Sequence, residues 1–574
     1  MLKAVSIRSL SARKPLARLL VALLLALQGF GGASWANTVT GSNGAVSSRS
    51  ALASEVGVEI LRQGGNAIDA AVAVGFALAV TYPSAGNIGG GGFMVLRLAD
   101  GQVLTQDHRE KAPLTASTDM FLDANGDVDR ELSLFSLQAS GVPGSVAGML
   151  DALEKHGTMT REQVLAPAIA LAEQGFVLNE DLAGDFNDTM PYFERHPASQ
   201  TIFTNNGSPY RAGDLFVQAD LAESLKRVSA QGRDGFYKGP TADLIVAEMQ
   251  RNGGLISHED LETYDVVWRE PIRGDYRGYE IWSMPPPSSG GVVLMQILNM
   301  LESYDIGTLG WGSSQTVHLT VEALRRAYAD RAEHLGDPDF YPVPIGKLIS
   351  KDYALERFEG MDPQAASDSE EIFAGNWVDE SMDTTHFSVV DGQGNAVSVT
   401  TTLNGSYGNR IVVPGAGFLL NNEMDDFSAK PGSPNMYGLL GGEANKIEPG
   451  KRMLSSMTPT IVVKDGATVL VTGSPGGSTI INTVLHIVMN VIDHGMNVEE
   501  AVASPRFYHQ WKPDQIRFER DSISAETRST LESMGHRGFV EAGFAYGDAN
   551  SIVVQDGQIE ATSDPRSAGG AAAY

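Results

Sequence analysis

Apolar and polar positions alternate along the chain in a few distinct ways, and each predicts an element. Residues 66–80 are an almost unbroken run of Ala, Val and other apolar residues with Asp69 near the start, which is too long for a strand and reads as a buried helix. The run passes through Tyr82-Pro83 into Asn87-Ile88-Gly89-Gly90-Gly91-Gly92, and residues 93–98 then read as a strand. In residues 314–334, Val317, Val321, Leu324 and Tyr328 recur near helical spacing. Pro285-Pro286-Pro287-Ser288-Ser289-Gly290-Gly291 is a rigid loop ahead of another apolar helix. Residues 384–390 and 396–402 read as strands around Asp391-Gly392-Gln393-Gly394-Asn395, a hairpin signal with the right turn chemistry. A second strand pair, 460–464 and 467–472, surrounds Asp465-Gly466 and runs through a glycine turn into an apolar helix at 479–493. Strand pairs mixed with helices that must be covered on most sides predict helices outside stacked antiparallel sheets.

The first 36 residues differ from the rest. Lys3, Arg8, Arg13, Lys14 and Arg18 precede an apolar run at 19–27, and small residues follow to Ala33-Ser34-Trp35-Ala36. That order describes a secretory signal peptide cut after Ala36, and the apolar run is too short for a stable membrane anchor. The expected product is exported, periplasmic or secreted. The 574-residue chain has a formal net charge of −28, and removing the cationic leader makes it more acidic still. Such a surface argues against nucleic acid as a partner. With Cys 0, disulfides, thiolate catalysis and cysteine metal sites are all excluded. A composition of 42% hydrophobic and 20% charged residues is that of a globular protein, and Gly 63 with Pro 26 implies many turns.

Between residues 361 and 382 core-forming residues thin out and acidic ones gather (Asp362, Asp368, Glu370, Glu371, Asp379, Glu380), with Asp383 directly after. This stretch is expected to be largely exposed and mobile. It leads straight into the hairpin at Thr384. A threonine hydroxyl is a poor nucleophile unless a base stands beside it, and an N-terminal threonine carries its own base, the α-amine. That amine has an ordinary pKa of roughly 7.7–8.0, so part of it is neutral near pH 7. Thr384 gains such an amine only if the bond between Asp383 and Thr384 is cut. Thr at a strand start is equally a plain β-former, so the pattern alone leaves both readings open.

The turn at 473–478 ends at a helix N-terminus, where backbone N–H groups and the helix dipole suit an oxyanion. It also reads as a simple strand-to-helix turn, while the absence of a Lys-Ser/Thr ending argues against a nucleotide phosphate loop. The Gly89–Gly92 run lacks dinucleotide spacing and is expected to permit close backbone packing. Asp123-Ala124-Asn125-Gly126-Asp127 mimics a calcium loop with its glycine misplaced and reads as a turn. His108, His386 and His509 lack ligand spacing and read as structural.

Taken together these segments resemble the gamma-glutamyltransferase (glutathione hydrolase) family of N-terminal-nucleophile enzymes, over essentially the whole chain after the leader. The resemblance rests on the Asn87–Met94 glycine segment, Arg109-Glu110-Lys111-Ala112-Pro113, the 285–291 loop and Asp337-Pro338-Asp339-Phe340. In the second half it rests on Thr384-Thr385-His386-Phe387-Ser388-Val389, Thr402-Leu403-Asn404, residues 421–431, Leu454-Ser455-Ser456-Met457 and residues 473–478.

The resemblance implies an α+β fold, a four-layer αββα sandwich built jointly by a large subunit (37–383) and a small catalytic subunit (384–574) behind the signal peptide (1–36). Self-cleavage between Asp383 and Thr384 would free Thr384 as the nucleophile. Thr402 would orient it, and Gly476 and Gly477 would supply oxyanion donors. Arg109, Ser455 and Ser456 would receive the α-carboxylate of a γ-glutamyl group, and Asn404, Glu423 and Asp426 its α-ammonium. Tyr437, in Met436-Tyr437-Gly438-Leu439, would gate a lid. The implied substrates are glutathione and related γ-glutamyl compounds, with water, amino acids or peptides as acceptors, and no metal or organic cofactor is implied. Two alternatives remain: an acylase acting on glutaryl-type side chains, and an uncleaved exported binding protein for γ-glutamyl compounds.

Overall fold

The computed structural model describes residues 38–372, 384–430, 435–436, 438–439, 441–543 and 546–574. The leader, with its expected cut after Ala36, lies outside them. Two seven-stranded sheets form the centre. The first runs Gly570–Ala573, Gly44–Ser48, Thr385–Asp391, Ala396–Thr402, Gly91–Arg97, Val103–His108 and Val267–Arg269. The second runs Thr38–Gly41, Gln558–Ser563, Asn550–Gln555, Ala467–Thr472, Thr460–Lys464, Tyr279–Ser283 and Ile272–Tyr276. Every pairing within both sheets is antiparallel.

Side-chain alternation decides which layer each residue joins. Val390, Ala45, Val95 and Ala396 of the first sheet meet Ile461, Val463, Val471 and Ile552 of the second, forming the inner layer. Their neighbours Phe387, Val389, Val397 and Val399 point outward against the helices Ala51–Arg62, Ala67–Thr81 and Ser145–His156. On the far side, Ile281, Val462 and Leu470 pack against Gly290–Leu301, Ser314–His334 and Thr479–Ile492. The four layers are therefore helix, sheet, sheet, helix, in agreement with the αββα expectation. Polar bonds also cross the inner layer: Ser398 Oγ donates to the Thr472 carbonyl at 2.9 Å and Ser388 Oγ to the Asn550 carbonyl at 2.8 Å.

The Ala67–Thr81 helix, buried along its whole length, starts at an Asn66 cap whose side chain accepts from the Ile68 and Asp69 amides, while Asp69 returns a bond to the Asn66 amide. Its first amide also donates to Asp391 at 2.9 Å, and Asp391 organises the hairpin turn by accepting from the Gln393 and Asn395 amides. One carboxylate thus fixes both the turn of the central hairpin and the helix laid over it. Glycine permits the next contact. A β-carbon on Gly90 would lie 2.0 Å from the Thr402 carbonyl oxygen, and one on Gly89 would lie 2.1 Å from that of Leu419. The close packing expected of this run is present.

The acidic stretch departs in part from expectation. Residues 362–365 are exposed, but residues 366–372 are held rather than free. Ser369 is buried, its hydroxyl accepts from Arg325, its amide donates to Asp514, and its carbonyl accepts from Trp511 Nε1. Hydrogen bonding compensates there for the poverty of apolar residues. Residues 373–383, with Asp383, lie outside the described residues.

Because the Gly90 contact is with backbone that cannot give, Gly90→Ala is expected to cost about 1–3 kcal/mol or more, as overpacked sites do. Gly346→Ala, where nothing lies within 4 Å, should leave the urea midpoint nearly unchanged. Equal midpoints for the two variants would refute the close-approach reading.

Candidate active site

The central hairpin pairs Thr385 with Thr401, and the next pair outward brings Thr384 opposite Thr402. Their hydroxyl oxygens stand 3.5 Å apart, both residues buried. Thr402 Oγ1 accepts from the Asn404 amide at 2.8 Å, which fixes its direction. Thr384 lines a small cavity and Thr385 does not. Alternation along the strand separates the two threonines, so the tertiary structure distinguishes positions that the local pattern could not.

Arg109, at the end of the Val103–His108 strand, reaches the same cavity with no exposed surface. Its guanidinium pairs with Glu423 and Asp426, on the short helix Glu423–Asp426, and its Nη1 is 3.6 Å from Glu110. Burial alone would weaken its hold on the proton, but these three carboxyls overcome that and raise its pKa. Burial pushes Glu423 well above the usual carboxylate range, raises Asp426, and carries Glu110 to about 7, in each case against the pull of Arg109. The groups expected to hold opposite ends of a zwitterion therefore pair directly with each other at the cavity. Asn404 lines the cavity beside them, its Nδ2 donating to the Asn422 carbonyl at 2.9 Å.

Ser455 and Ser456 line the cavity as well. The 285–291 loop braces them: the Ser455 amide donates to the Pro287 carbonyl and the Ser289 amide to the Ser455 carbonyl, both at 2.8 Å. Gly477 lines the cavity, with Gly476 next to it at the start of the Thr479–Ile492 helix. Their φ values, 132° and 53°, lie where side chains are disfavoured, so the turn requires glycine at both. Tyr328 OH donates to the Ser478 carbonyl and ties this turn to the Ser314–His334 helix.

The structure thus gathers Thr384, Thr402, Gly477, Arg109, Asn404, Glu423, Asp426, Ser455 and Ser456 around one cavity, with Gly476 adjacent. Tyr437 lies outside the described residues. Its neighbours do reach the site: Leu439 lines the cavity, and Asn435 Nδ2 donates to Asp426 at 2.9 Å. Sequence reasoning missed two residues. Glu110 was legible only as part of a motif, and its burial against Arg109 was not. Arg331 lines the cavity from the Ser314–His334 helix, where one more arginine on a charged helix carries no signal by itself.

The three histidines read as structural have structural partners: His108 with Gln106, His386 with Thr400 and Ser388, and His509 with Asp514. Elsewhere His318, Glu322 and His536 come close enough to share an ion. The two imidazoles already bond each other at 2.8 Å, and Glu322 is occupied by Arg325 and Arg326. Among the described residues, no helix is long and apolar enough to cross a membrane.

Comparison with known proteins agrees with the geometry. The chain is 53% identical over 535 residues to a protein named glutathione hydrolase proenzyme from Escherichia coli (strain K12), covering 92% of this chain and 91% of that one. Among solved structures, gamma-glutamyltranspeptidase from Helicobacter pylori superposes with a TM-score of 0.56 at 49% identity, covering 57% of this chain and 93% of that one. A cephalosporin acylase from Bacillus halodurans superposes with a TM-score of 0.83 at 27% identity, covering 95% and 98%. The sequence model of the gamma-glutamyltranspeptidase family matches residues 53–574, and the chain belongs to that family.

Proposed function

We propose that this protein is a self-cleaving gamma-glutamyl hydrolase and transferase that acts on glutathione and related compounds through a Thr384 acyl-enzyme. The observation that carries the proposal is the convergence on one cavity of a threonine at a chain position fit for cleavage, its hydroxyl partner, and charges of both signs. In the precursor, the Thr384 hydroxyl attacks the Asp383 carbonyl carbon. The peptide C–N bond gives way to an ester, and water then hydrolyses the ester, leaving a carboxylate at Asp383 and a free amine on Thr384. The cut yields a large subunit, 37–383 once the leader is removed, and a small one, 384–574. They stay joined because Gly44–Ser48 is bonded between Thr385–Asp391 and Gly570–Ala573, strands from across the cut.

In turnover the freed amine accepts the Thr384 hydroxyl proton while the oxygen attacks the γ-carbonyl of the donor. The Gly476 and Gly477 N–H groups face the developing oxyanion. Collapse expels cysteinylglycine as the free amine, which takes the proton. Water or an acceptor amine then attacks the ester and regenerates Thr384. Thr402, 3.5 Å away, orients the attacking hydroxyl. The α-carboxylate sits against Arg109, Ser455 and Ser456, and the α-ammonium against Asn404, Glu423 and Asp426. Tyr437 closes the lid over the bound group.

Charge balance favours a γ-glutamyl donor over a glutaryl one. A zwitterion entering between Arg109 and its two acids adds no net charge and offers each side an opposite charge. A glutaryl group lacks the ammonium that would face Asn404, Glu423 and Asp426, so those groups would gain no cation from it. Export through the 1–36 leader to the periplasm completes the reading.

Intact masses of the wild type should give two fragments, the smaller beginning at Thr384, and Thr384→Ala should remain one chain. A single uncut chain from folded wild type would instead support the binding-protein alternative. Asp426→Asn should lower kcat/KM for γ-glutamyl-p-nitroanilide by roughly ten- to a hundredfold, the worth of a charged hydrogen bond, and leave a glutaryl anilide unaffected or improved. Preference of the wild type for the glutaryl anilide would assign the protein to the acylases.

A further inference from the structure

Arg331 is a buried cation of a kind that proteins rarely keep. Its neighbour in the cavity, Arg109, is matched by Glu423 and Asp426. Arg331 is 4% exposed, and its side chain bonds hydroxyls: Nε donates to Ser289 Oγ at 2.9 Å and Nη2 to Ser456 Oγ at 3.1 Å. Burial lowers its pKa, opposed by Tyr328, Asp426 and Tyr508. A guanidinium buried against neutral groups is costly to keep unless something else answers its charge.

The hydrogen bonds show what it holds. A serine hydroxyl that accepts from a guanidinium has a lone pair engaged and its own proton left to donate. For Ser456 that proton is available to an acceptor in the cavity. Ser289, accepting from the same guanidinium, donates onward to the Ser455 carbonyl at 2.7 Å, and the Ser289 amide bonds that carbonyl as well. One side chain therefore sets Ser456 directly and Ser455 through Ser289. Three residues earlier on the same helix, Tyr328 holds the turn that carries Gly476 and Gly477. The helix thus places the serine pair and the glycine turn as one unit.

We infer that Arg331 is the positioning residue of the α-carboxylate subsite: it orients the Ser455–Ser456 pair as donors and supplies the second positive charge that the substrate carboxylate answers. The inference rests on the γ-glutamyl reading of the cavity and adds a residue to it. A merely structural arginine would alter stability without regard to what the donor carries at its α-carbon, whereas this role depends on the carboxylate.

The test compares γ-glutamyl-p-nitroanilide with the same anilide bearing an α-carboxamide. For Arg331→Met, KM for the carboxylate donor is expected to rise about tenfold or more, with a much smaller change in kcat and little change in KM for the carboxamide. In the Ser456→Ala background the added loss from Arg331→Met should shrink, because the two residues act through one bond. Arg331→Lys, which cannot span both hydroxyls, should show the same loss in weaker form, and it carries the test if Arg331→Met does not fold. Self-cleavage and the thermal midpoint report folding. An unchanged KM, equal losses on both donors, or fully multiplicative losses with Ser456→Ala would overturn the role of Arg331. A folded wild type that cleaves no γ-glutamyl donor would overturn the functional reading itself.

Discussion

The central hairpin, Thr385–Asp391 with Ala396–Thr402, is buried on both faces, and the rest of the structure is arranged around that constraint. A strand with no solvent face has only one register in which its Phe and Val side chains meet helices while its Ser and Val side chains meet the second sheet. That register sets Thr384 opposite Thr402. It also leaves Thr384 at the point where the chain enters the sheet, so a cut before it need not disturb a single ladder bond. The glycine run 89–92 lets the next strand approach, and Asp391 secures the far end of the hairpin to a helix.

A second constraint is electrostatic. Arg109, Arg331, Glu110 and Glu423 are buried within one region, with the part-buried Asp426 beside Arg109, and isolated charges are expensive there. Cross-pairing of Arg109 with the acids lowers that cost. A ligand carrying both a carboxylate and an ammonium can exchange for these internal pairs without creating an orphan charge. Under the proposed function, selectivity for an α-amino acid end would follow from charge matching as much as from shape.

Interleaving of strands has a mechanical consequence. Both sheets mix strands from before and after the acidic stretch, and Ser369 is anchored to Arg325 on one side and to Asp514 and Trp511 on the other. The two parts share sheets, core and cavity. The proposed cut ahead of Thr384 would change the chemistry of that residue while the fold around it persists.

Local chemistry made much of this legible in the sequence. The capped helix after Asn66, the hairpin around Asp391–Asn395 and the strand pair around Asp465-Gly466 follow from periodicity, capping and turn residues, and they appear within a residue or two of their expected bounds. The family motifs pointed to Thr384, Arg109, Asp426 and the serine pair, because each sits in a short run whose residue types and order are distinctive. Other features depended on what lies across the molecule. Only alternation within a fully buried strand separated Thr384 from Thr385. Only burial raised the pKa of the Glu110 carboxyl beside Arg109, and only the docking of the Ser314–His334 helix brought Arg331 within reach of Ser289 and Ser456, which lie 42 residues before it and 125 after it. Sequence determines local conformation through neighbours a few residues apart, whereas a site of buried charges depends on distances between residues far apart in the chain, and those exist only once the layers have packed.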